Sequence, residues 1–232
     1  MPAPRACPSR GTIDCVAMPL LLLVRHGETA WNRDRRWQGQ HDLPLTAIGE
    51  AQAVATARRL MVEKPVALYS SDLIRARRTA EVIAKACRLD VQLDPGVREV
   101  DVGSWVGLTS DQAAERFPDG HARWVAGGTG WDDGETYPAM AERVVAAISS
   151  ITSRHAAADR VVIVTHGGPI RAAAAHAVAL EGDGRRRLAA GPNASLTTID
   201  VQDDGWRLVA YNDAGHIATI SEPVVDPAEE PA

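Results

Sequence analysis

Two apolar runs of aliphatic residues each stop at a His-Gly pair, and a helix-like stretch follows each of them. The first run, Leu20–Val24, leads into Arg25 and His26, and the second, Val161–Thr165, leads into His166. Buried strands followed by helices build parallel sheets, and ligands bind in the crevice beyond the carboxyl ends of such strands. The pattern therefore predicts an α/β fold in which two imidazoles arrive at the same edge of the sheet.

Strand-like and helix-like segments alternate along most of the chain. The strand-like segments are Leu20–Val24, Val66–Ser70, Val91–Leu93, Val161–Thr165, Leu196–Val201 and Trp206–Tyr211. The helix-like segments are Ala47–Val62, Leu73–Cys87, Ala139–His155 and Ile170–Leu180. The last two strands flank Asp203-Asp204-Gly205, which is a hairpin signal. We expect a three-layer α/β/α sandwich with a mainly parallel sheet and an antiparallel edge.

The two ends of the chain differ from its middle. Residues 1–18 are rich in proline, without periodicity or the apolar core of a signal peptide, and are predicted to be a disordered lead. Residues 222–232 are a tail of proline and acidic residues that we also expect to be disordered. Residues 19–221 are predicted to form one catalytic domain. Met18 lies directly before the first strand, so a start at Met1 and a start at Met18 both stay open.

Composition excludes several classes of partner. The formal net charge is −5, so the chain lacks the basic surface of a nucleic-acid-binding protein. No apolar stretch approaches the length of a membrane span, so we expect no membrane association. The three cysteines show neither metal-ligand nor disulfide spacing, which favours a reducing cytoplasm. A monomer and a homodimer both remain open.

An arginine directly before the first histidine points to a bound anion. A single histidine at a strand end is more often a packed side chain, but Arg25 has no reason to end a buried strand unless its charge meets a ligand. The guanidinium fork matches phosphate. Arg75 lies one turn into a helix that follows another strand, so we expect it at the same edge of the sheet as the two histidines. Glu99 adds a carboxylate in a loop that contains Gly103 and Gly107.

Four sequence blocks, in order, resemble the histidine phosphatase superfamily in its phosphoglycerate-mutase-like branch. They are Arg25-His-Gly-Glu-Thr29, Ser70-Ser-Asp-Leu-Ile-Arg-Ala76, Arg98-Glu-Val-Asp-Val-Gly-Ser-Trp-Val-Gly107 and Thr165-His-Gly-Gly168. The resemblance covers roughly residues 19 to 215. Each block falls at a predicted strand end or helix start, which makes the set a stronger signal than any one block.

The resemblance implies a role for each matched position. His26 would be the nucleophile that forms a phosphohistidine, and Glu99 would act first as general acid and then as general base. Arg25, Arg75 and His166 would hold the phosphoryl oxygens. The remaining positions that would line the phosphate pocket are Asn32, Gln38, Gly39 and Gly167. The implied substrate is a small phosphomonoester, and no cofactor or metal is implied.

The chemistry is consistent with the residues themselves. A neutral imidazole can attack phosphorus and so divide one difficult displacement into two easier ones. Two arginines and a second histidine can neutralise the charge on the phosphoryl oxygens without a metal. A binding module without catalytic activity is disfavoured, because both histidines, both arginines and Glu99 are all present. A metallohydrolase is also disfavoured, because no His-x-x-x-His or paired-carboxylate spacing occurs and Arg25 would repel a cation.

Hydrolysis and phosphoryl transfer within one substrate are the two remaining activities. The mutases of the branch carry a tyrosine three residues after the acid, followed by basic residues, whereas this chain has Val102 and no lysine or arginine in Leu108–Ala114. This difference favours a phosphatase, with a phosphoglycerate mutase as the alternative. The Gly134-Glu135-Thr136 segment is equally typical of the phosphatase members and of a simple helix cap.

The segment Leu108–Tyr137 is predicted to select the substrate, which could be a sugar phosphate or a phosphoglycerate derivative. It contains Trp124, Trp131 and Tyr137 among glycines, with little helix or strand pattern. Such segments are often functional loops, and the rings could stack on a substrate. Packing of the same rings against helices is the interpretation that we favour over stacking.

Overall fold

A computed structural model describes residues 19–180, 186–202 and 205–220. The predicted N-terminal lead and C-terminal tail lie outside the described residues, as do Asp203 and Asp204 of the predicted hairpin turn.

Six strands form one mixed sheet in the order β3-β2-β4-β1-β5-β6. Their bounds are β1 Leu20–Arg25, β2 Ala67–Ser70, β3 Val91–Leu93, β4 Arg160–Thr165, β5 Leu196–Gln202 and β6 Gly205–Asp213. Strands β1 to β4 are mutually parallel where they pair, while β5 runs antiparallel to both β1 and β6. The mainly parallel sheet with an antiparallel edge is therefore confirmed.

Seven α-helices are present in the described part of the chain. They are α1 Ala30–Arg33, α2 Ala47–Met61, α3 Ile74–Cys87, α4 Ser110–Arg116, α5 Pro118–Val125, α6 Tyr137–Thr152 and α7 Gly167–Ala177. Short 3₁₀ turns lie at Pro95–Val97, Gly103–Trp105 and Gly215–Ile217. In the ranges described, no helix combines the length and the apolar character that crossing a membrane would require.

Side chains that alternate along the central strands pack against helices on both faces of the sheet, and these helices form the outer two layers. Leu22 and Val24 of β1 face a buried cluster that includes Leu60 of α2 and Ile83 of α3. The alternate β1 residues lie in a second cluster that includes Ile148 of α6 and Ala173 of α7. Because successive side chains of a strand point to opposite faces, the apolar run of β1 supplies both cores. The predicted three-layer sandwich is confirmed.

The helix after β4 begins three residues earlier than its apolar pattern predicts. The predicted start was Ile170, but α7 begins at Gly167, immediately after His166, and ends at Ala177. Pro169 falls in the first turn, where the missing N–H costs no helical hydrogen bond. This earlier start places His166 at the N-cap of α7.

The segment after Gly107 differs most from expectation. It contains α4 and α5, two helices that the sequence pattern missed, and its aromatic rings are buried rather than available for stacking on a substrate. Trp124, Trp131 and Tyr137 are only 7%, 4% and 7% exposed. Trp124 packs edge-on against Trp37, with ring centroids 5.4 Å apart. The rings join one interior cluster around Trp105, which agrees with the packing interpretation and not with stacking on a substrate.

Replacing Trp124 with alanine should therefore destabilise the fold rather than change substrate preference. Loss of a buried aromatic ring typically lowers the free energy of unfolding by about 3–5 kcal/mol. We expect that loss in urea unfolding, with Trp124→Phe losing less. Ratios of kcat/KM among different substrates should stay unchanged at a temperature where the variant is folded. A changed ranking with unchanged stability would contradict the packing role.

Candidate active site

His26 and His166 meet at the carboxyl ends of two neighbouring parallel strands. Arg25 and Thr165 are paired in the β1–β4 register, so the next residue of each strand is a histidine. The two ring centroids lie 5.1 Å apart, and both side chains are almost fully buried. The sequence prediction that the two imidazoles share one edge of the sheet is met by this geometry.

The hydrogen bond of His26 selects its tautomer. Its Nδ1 lies 2.8 Å from the carbonyl oxygen of Gly27. A carbonyl oxygen only accepts, so Nδ1 must donate a hydrogen, and in the neutral ring the lone pair is then on Nε2. The backbone of the same turn is held in place, since Gly27 N donates to Thr79 Oγ1 at 3.0 Å. His26 therefore presents the lone pair of Nε2 in a fixed ring orientation.

Ser71 holds the second imidazole. Its hydroxyl oxygen lies 2.9 Å from Nε2 of His166 and accepts a hydrogen bond from Leu73 N at 3.3 Å. With the hydroxyl proton donated to Nε2, the hydrogen of the neutral His166 ring is on Nδ1. That Nδ1 is buried and has no hydrogen-bond partner among the residues the structure describes. It is suited to donate to an oxygen of a bound anion.

Arg25 and Arg75 are each 1% exposed, which is rare for guanidinium groups. Arg25 donates through Nη1 to the carbonyl oxygen of Gly191 at 2.5 Å. Arg75 donates to two carbonyl oxygens of one loop, that of Gly39 at 2.7 Å and that of His41 at 2.8 Å. These carbonyls fix the direction of both guanidinium groups beside the histidines.

Glu99 lies at the N-terminus of α7, close to the second histidine. Its Oε1 accepts from Val100 N at 2.8 Å, and its Oε2 accepts from Gly168 N at 3.3 Å. A Cβ atom at residue 168 would lie 2.3 Å from Oε1, so the carboxylate needs glycine at this position. The carboxylate of Glu99 thereby contacts Gly168, which lies two residues after His166 in the chain.

Two buried amide groups present unused donors near the first histidine. Thr29 Oγ1 lies 3.0 Å from both Asn32 Oδ1 and Gln38 Oε1, and Asn193 Nδ2 donates to Asn32 Oδ1 at 3.1 Å. Asn193 Nδ2 also lies 3.1 Å from the carbonyl oxygen of His26. Because the amide oxygens are engaged, Asn32 Nδ2 and Gln38 Nε2 stay without a partner within the described ranges. Such orphaned buried donors are typical of a site that receives an anion.

Two glycines named from the sequence lie in the same wall. Gly39 has a φ of +49°, and a Cβ there would lie 2.8 Å from Val102 Cγ2, so the turn that holds Arg75 requires glycine. Gly167 is buried in the first turn of α7. The N–H groups of a helix's first turn, together with the helix dipole, favour an anion. The structure brings the named residues into one region at a single edge of the sheet.

Burial lowers the pKa of both histidines well below 6.5. Desolvation is the largest cause, and the positive charges of Arg75 and Arg25 also disfavour protonation of either ring. Both imidazoles are therefore neutral at pH 7 before an anion binds. A bound phosphate would oppose these effects, because its negative charge favours the protonated form of a nearby imidazole.

Protein stability should fall as the pH is lowered below about 6.5. In the unfolded chain both histidines then bind protons, whereas in the native state they stay neutral, so each contributes up to about 1.4 kcal/mol of lost stability per pH unit. The loss continues until the pH reaches the lower, native pKa. Urea unfolding in phosphate-free buffers should show a shallower pH dependence for His166→Gln than for the wild type. Parallel curves would contradict this assignment.

Sequence reasoning missed the residues that orient the site. Ser71 belongs to a recognised block, but its contact with His166 depends on the β2–β4 pairing rather than on any local pattern. Asn193 lies in the loop before β5 and carries no motif, yet it is 2% exposed and joins His26 to Asn32. Only a polar residue beside a strand start could have hinted at it.

Comparisons with known proteins identify a family and several relatives. Residues 21–214 match the family model of the histidine phosphatase superfamily, branch 1. The chain is 36% identical over 205 residues to a metal-independent phosphoserine phosphatase of Arabidopsis thaliana, covering 86% of this chain and 84% of the relative. It is also 36% identical over 211 residues to the probable phosphoglycerate mutase GpmB of Salmonella arizonae, covering 89% of this chain and 97% of that protein.

Among solved structures, a mycobacterial glucosyl-3-phosphoglycerate phosphatase in complex with VO3 superposes with a TM-score of 0.78 and 32% identity, covering 84% of this chain and 100% of that chain. The family model spans most of the sequence, and the curated relatives exceed 30% identity over most of their own length. The family resemblance seen in the four sequence blocks is confirmed, and the chain belongs to branch 1 of the histidine phosphatase superfamily.

Proposed function

We propose that this protein is a phosphomonoester hydrolase that acts on a small phosphorylated metabolite through a phosphohistidine at His26. The observation that carries the proposal is the geometry of His26. Its Nδ1 is bonded to the Gly27 carbonyl oxygen, which leaves the lone pair on Nε2, and the ring lies beside two buried arginines and a second neutral imidazole. Phosphatases for phosphoserine and for glucosyl-3-phosphoglycerate are among the related proteins, which supports this substrate class.

In the first step His26 Nε2 attacks phosphorus, and the bond from phosphorus to the ester oxygen breaks. Arg25 and Arg75 neutralise the charge on the phosphoryl oxygens. Hydrogen bonds to the same oxygens come from His166 Nδ1, from the amides of Asn32 and Gln38, and from the first turn of α7 at Gly167. Glu99 gives its proton to the leaving alkoxide, so an alcohol departs. The enzyme is left with a phosphorylated imidazole and a carboxylate.

In the second step water attacks the phosphohistidine, and the bond from nitrogen to phosphorus breaks. Glu99 takes a proton from that water, which restores the protonated acid. Inorganic phosphate leaves, and His26 regains its lone pair on Nε2. The resting protonation states of Glu99 and His26 are therefore recovered, with water as the second reactant.

A phosphoglycerate mutase is the second candidate, favoured by the mutase-named relatives. The packing around Val102 favours hydrolysis instead. Val102 is 1% exposed and lies against Gly39, at the position where the resemblance places a tyrosine in mutases. A buried valine offers no group to hold the second phosphate that a mutase must retain.

The proposal also covers the extent of the domain and its setting. We assign residues 19–221 to the catalytic domain and place the protein in the cytoplasm, on the absence of disulfide spacing in the sequence. A metal-dependent hydrolase is less well supported, because within the described ranges no three His, Cys, Asp or Glu side chains group as metal ligands.

The test measures phosphate release from a panel that includes phosphoserine, a glucosyl-phosphoglycerate, 3-phosphoglycerate and p-nitrophenyl phosphate. Interconversion of 3-phosphoglycerate and 2-phosphoglycerate is followed in parallel, with and without a bisphosphorylated primer. We expect release from at least one phosphomonoester, unaffected by chelator. Interconversion without net release would support the mutase, and loss of activity with chelator would support a metal enzyme.

A further inference from the structure

The loop that carries Glu99 is held by an arginine from a different layer of the fold. Arg143 of α6 donates from Nη1 to the carbonyl oxygens of Gly96 and Arg98, both at 3.0 Å. Its Nη2 reaches the carbonyl oxygen of Glu99 itself at 3.4 Å. One side chain therefore donates to three carbonyl oxygens within the four residues 96–99.

Glu135 fixes the direction of that guanidinium group. Its two carboxylate oxygens accept from Arg143 Nε at 2.8 Å and from Arg143 Nη2 at 2.6 Å. Both side chains are mostly shielded from solvent, since that of Arg143 is 26% exposed and that of Glu135 is 18% exposed. All five N–H donors of the guanidinium are thus used, two toward Glu135 and three toward the loop. Lysine has a single ammonium and cannot reproduce this pattern.

The two ends of Glu99 are restrained independently. Its carboxylate is held by Val100 N and Gly168 N, while its carbonyl oxygen accepts from Arg143 and from Gln40 Nε2 at 3.1 Å. The carboxylate of Glu99 lies so close to Gly168 that a Cβ atom at residue 168 would collide with it. A displaced loop would therefore move the acid away from the leaving oxygen, and misplacement by about 1 Å can cost on the order of 100-fold in rate.

We propose that Arg143, oriented by Glu135, is a positioning residue that sets the protonating geometry of Glu99. The proposal rests on the proposed phosphatase function. It also gives Glu135 of the Gly134-Glu135-Thr136 segment a role. Within that segment the helix-cap interpretation holds for Thr136, whose side chain accepts from Ala139 N at the start of α6. Glu135 then pairs with Arg143 farther along the same helix.

The test compares substrates that differ in their need for a proton on the leaving group. We expect Arg143→Gln to lower kcat for an alkyl phosphomonoester by about 10–100-fold while p-nitrophenyl phosphate, whose leaving group needs little protonation, loses only about twofold. Arg143→Lys should behave like Arg143→Gln, and Glu135→Gln should show the same selectivity to a smaller degree. Arg160→Gln, which breaks an ion pair with Glu63 at the opposite end of β4, should leave both rates unchanged.

A double variant separates positioning from general loosening of the fold. Once Glu99 is replaced by glutamine, adding Arg143→Gln should not change the ratio of the two rates any further, because the proton donor is already absent. An equal loss for both substrates, no loss in a folded variant, or full additivity with Glu99→Gln would each overturn the proposal. If Arg143→Gln does not fold, the ratio measured in Arg143→Lys and Glu135→Gln decides. Failure of the wild type to hydrolyse any phosphomonoester would instead reject the proposed function.

Discussion

Replacing His26 with alanine is expected to lower phosphatase turnover by about 10⁴-fold or more, as loss of a covalent nucleophile does in other hydrolases. His166 is not expected to replace His26, because its Nε2 is held by Ser71 Oγ at 2.9 Å. Rapid quenching of the wild type with radiolabelled substrate should yield protein-bound phosphate that is labile in acid and stable in base. The same label should be absent from His26→Ala.

His155→Ala is the matched control for this experiment. His155 is also a partly buried histidine with a hydrogen bond, to Tyr69 at 3.0 Å, but it follows the C-terminal end of α6, away from the phosphate site. Its removal should leave the phosphoenzyme and turnover intact. Label on a serine or a carboxylate of the wild type would reject the phosphohistidine mechanism.

Glu99→Gln is expected to slow alkyl phosphomonoesters by about 10²- to 10⁴-fold, the usual range for general acid catalysis. The amide oxygen can still accept a backbone hydrogen bond, so the loop should be preserved while the transferable proton is lost. Turnover of p-nitrophenyl phosphate should fall much less as long as phosphorylation of His26 limits the rate. The measurement is kcat for both substrates, with burst kinetics to identify the limiting step.

Glu142→Gln, a change at an exposed position of α6, serves as the control and should leave both rates unchanged. A burst of nitrophenol followed by slow turnover would show that the same carboxylate is needed to activate water in the second step. Equal slowing of the phosphorylation step for both substrates would remove Glu99 from the acid role.

The positions of the central strands along the sequence were predictable, because a strand that is buried on both faces is a continuous apolar run. Leu20–Val24 and Val161–Thr165 each locate a strand to within one residue, and each strand end locates a histidine. The residues proposed to meet the phosphate follow from those ends, since parallel strands deliver their carboxyl ends to one edge. For this reason the proposed chemistry was accessible from sequence.

The supporting contacts were not predictable, because they join residues that local patterns do not relate. The bond between Asn193 and the His26 carbonyl, and that between Ser71 and His166, exist only after the sheet has formed. The aromatic residues around Trp105 were ambiguous for a different reason. Rings among glycines suit either a ligand surface or a tight core, and only their burial distinguishes the two.

The position of β1 has a consequence for how the protein is made. β1 leaves the ribosome well before its two neighbours in the sheet, because β4 and β5 begin only at Arg160 and Leu196. At a synthesis rate of about 5–20 residues per second, Leu20–Arg25 stays unpaired for on the order of ten seconds or more. During that time a very apolar strand exposes both of its edges, which favours pairing with other nascent chains. The strand that leads to His26, the proposed nucleophile, is therefore the segment for which we expect a chaperone to matter most during translation.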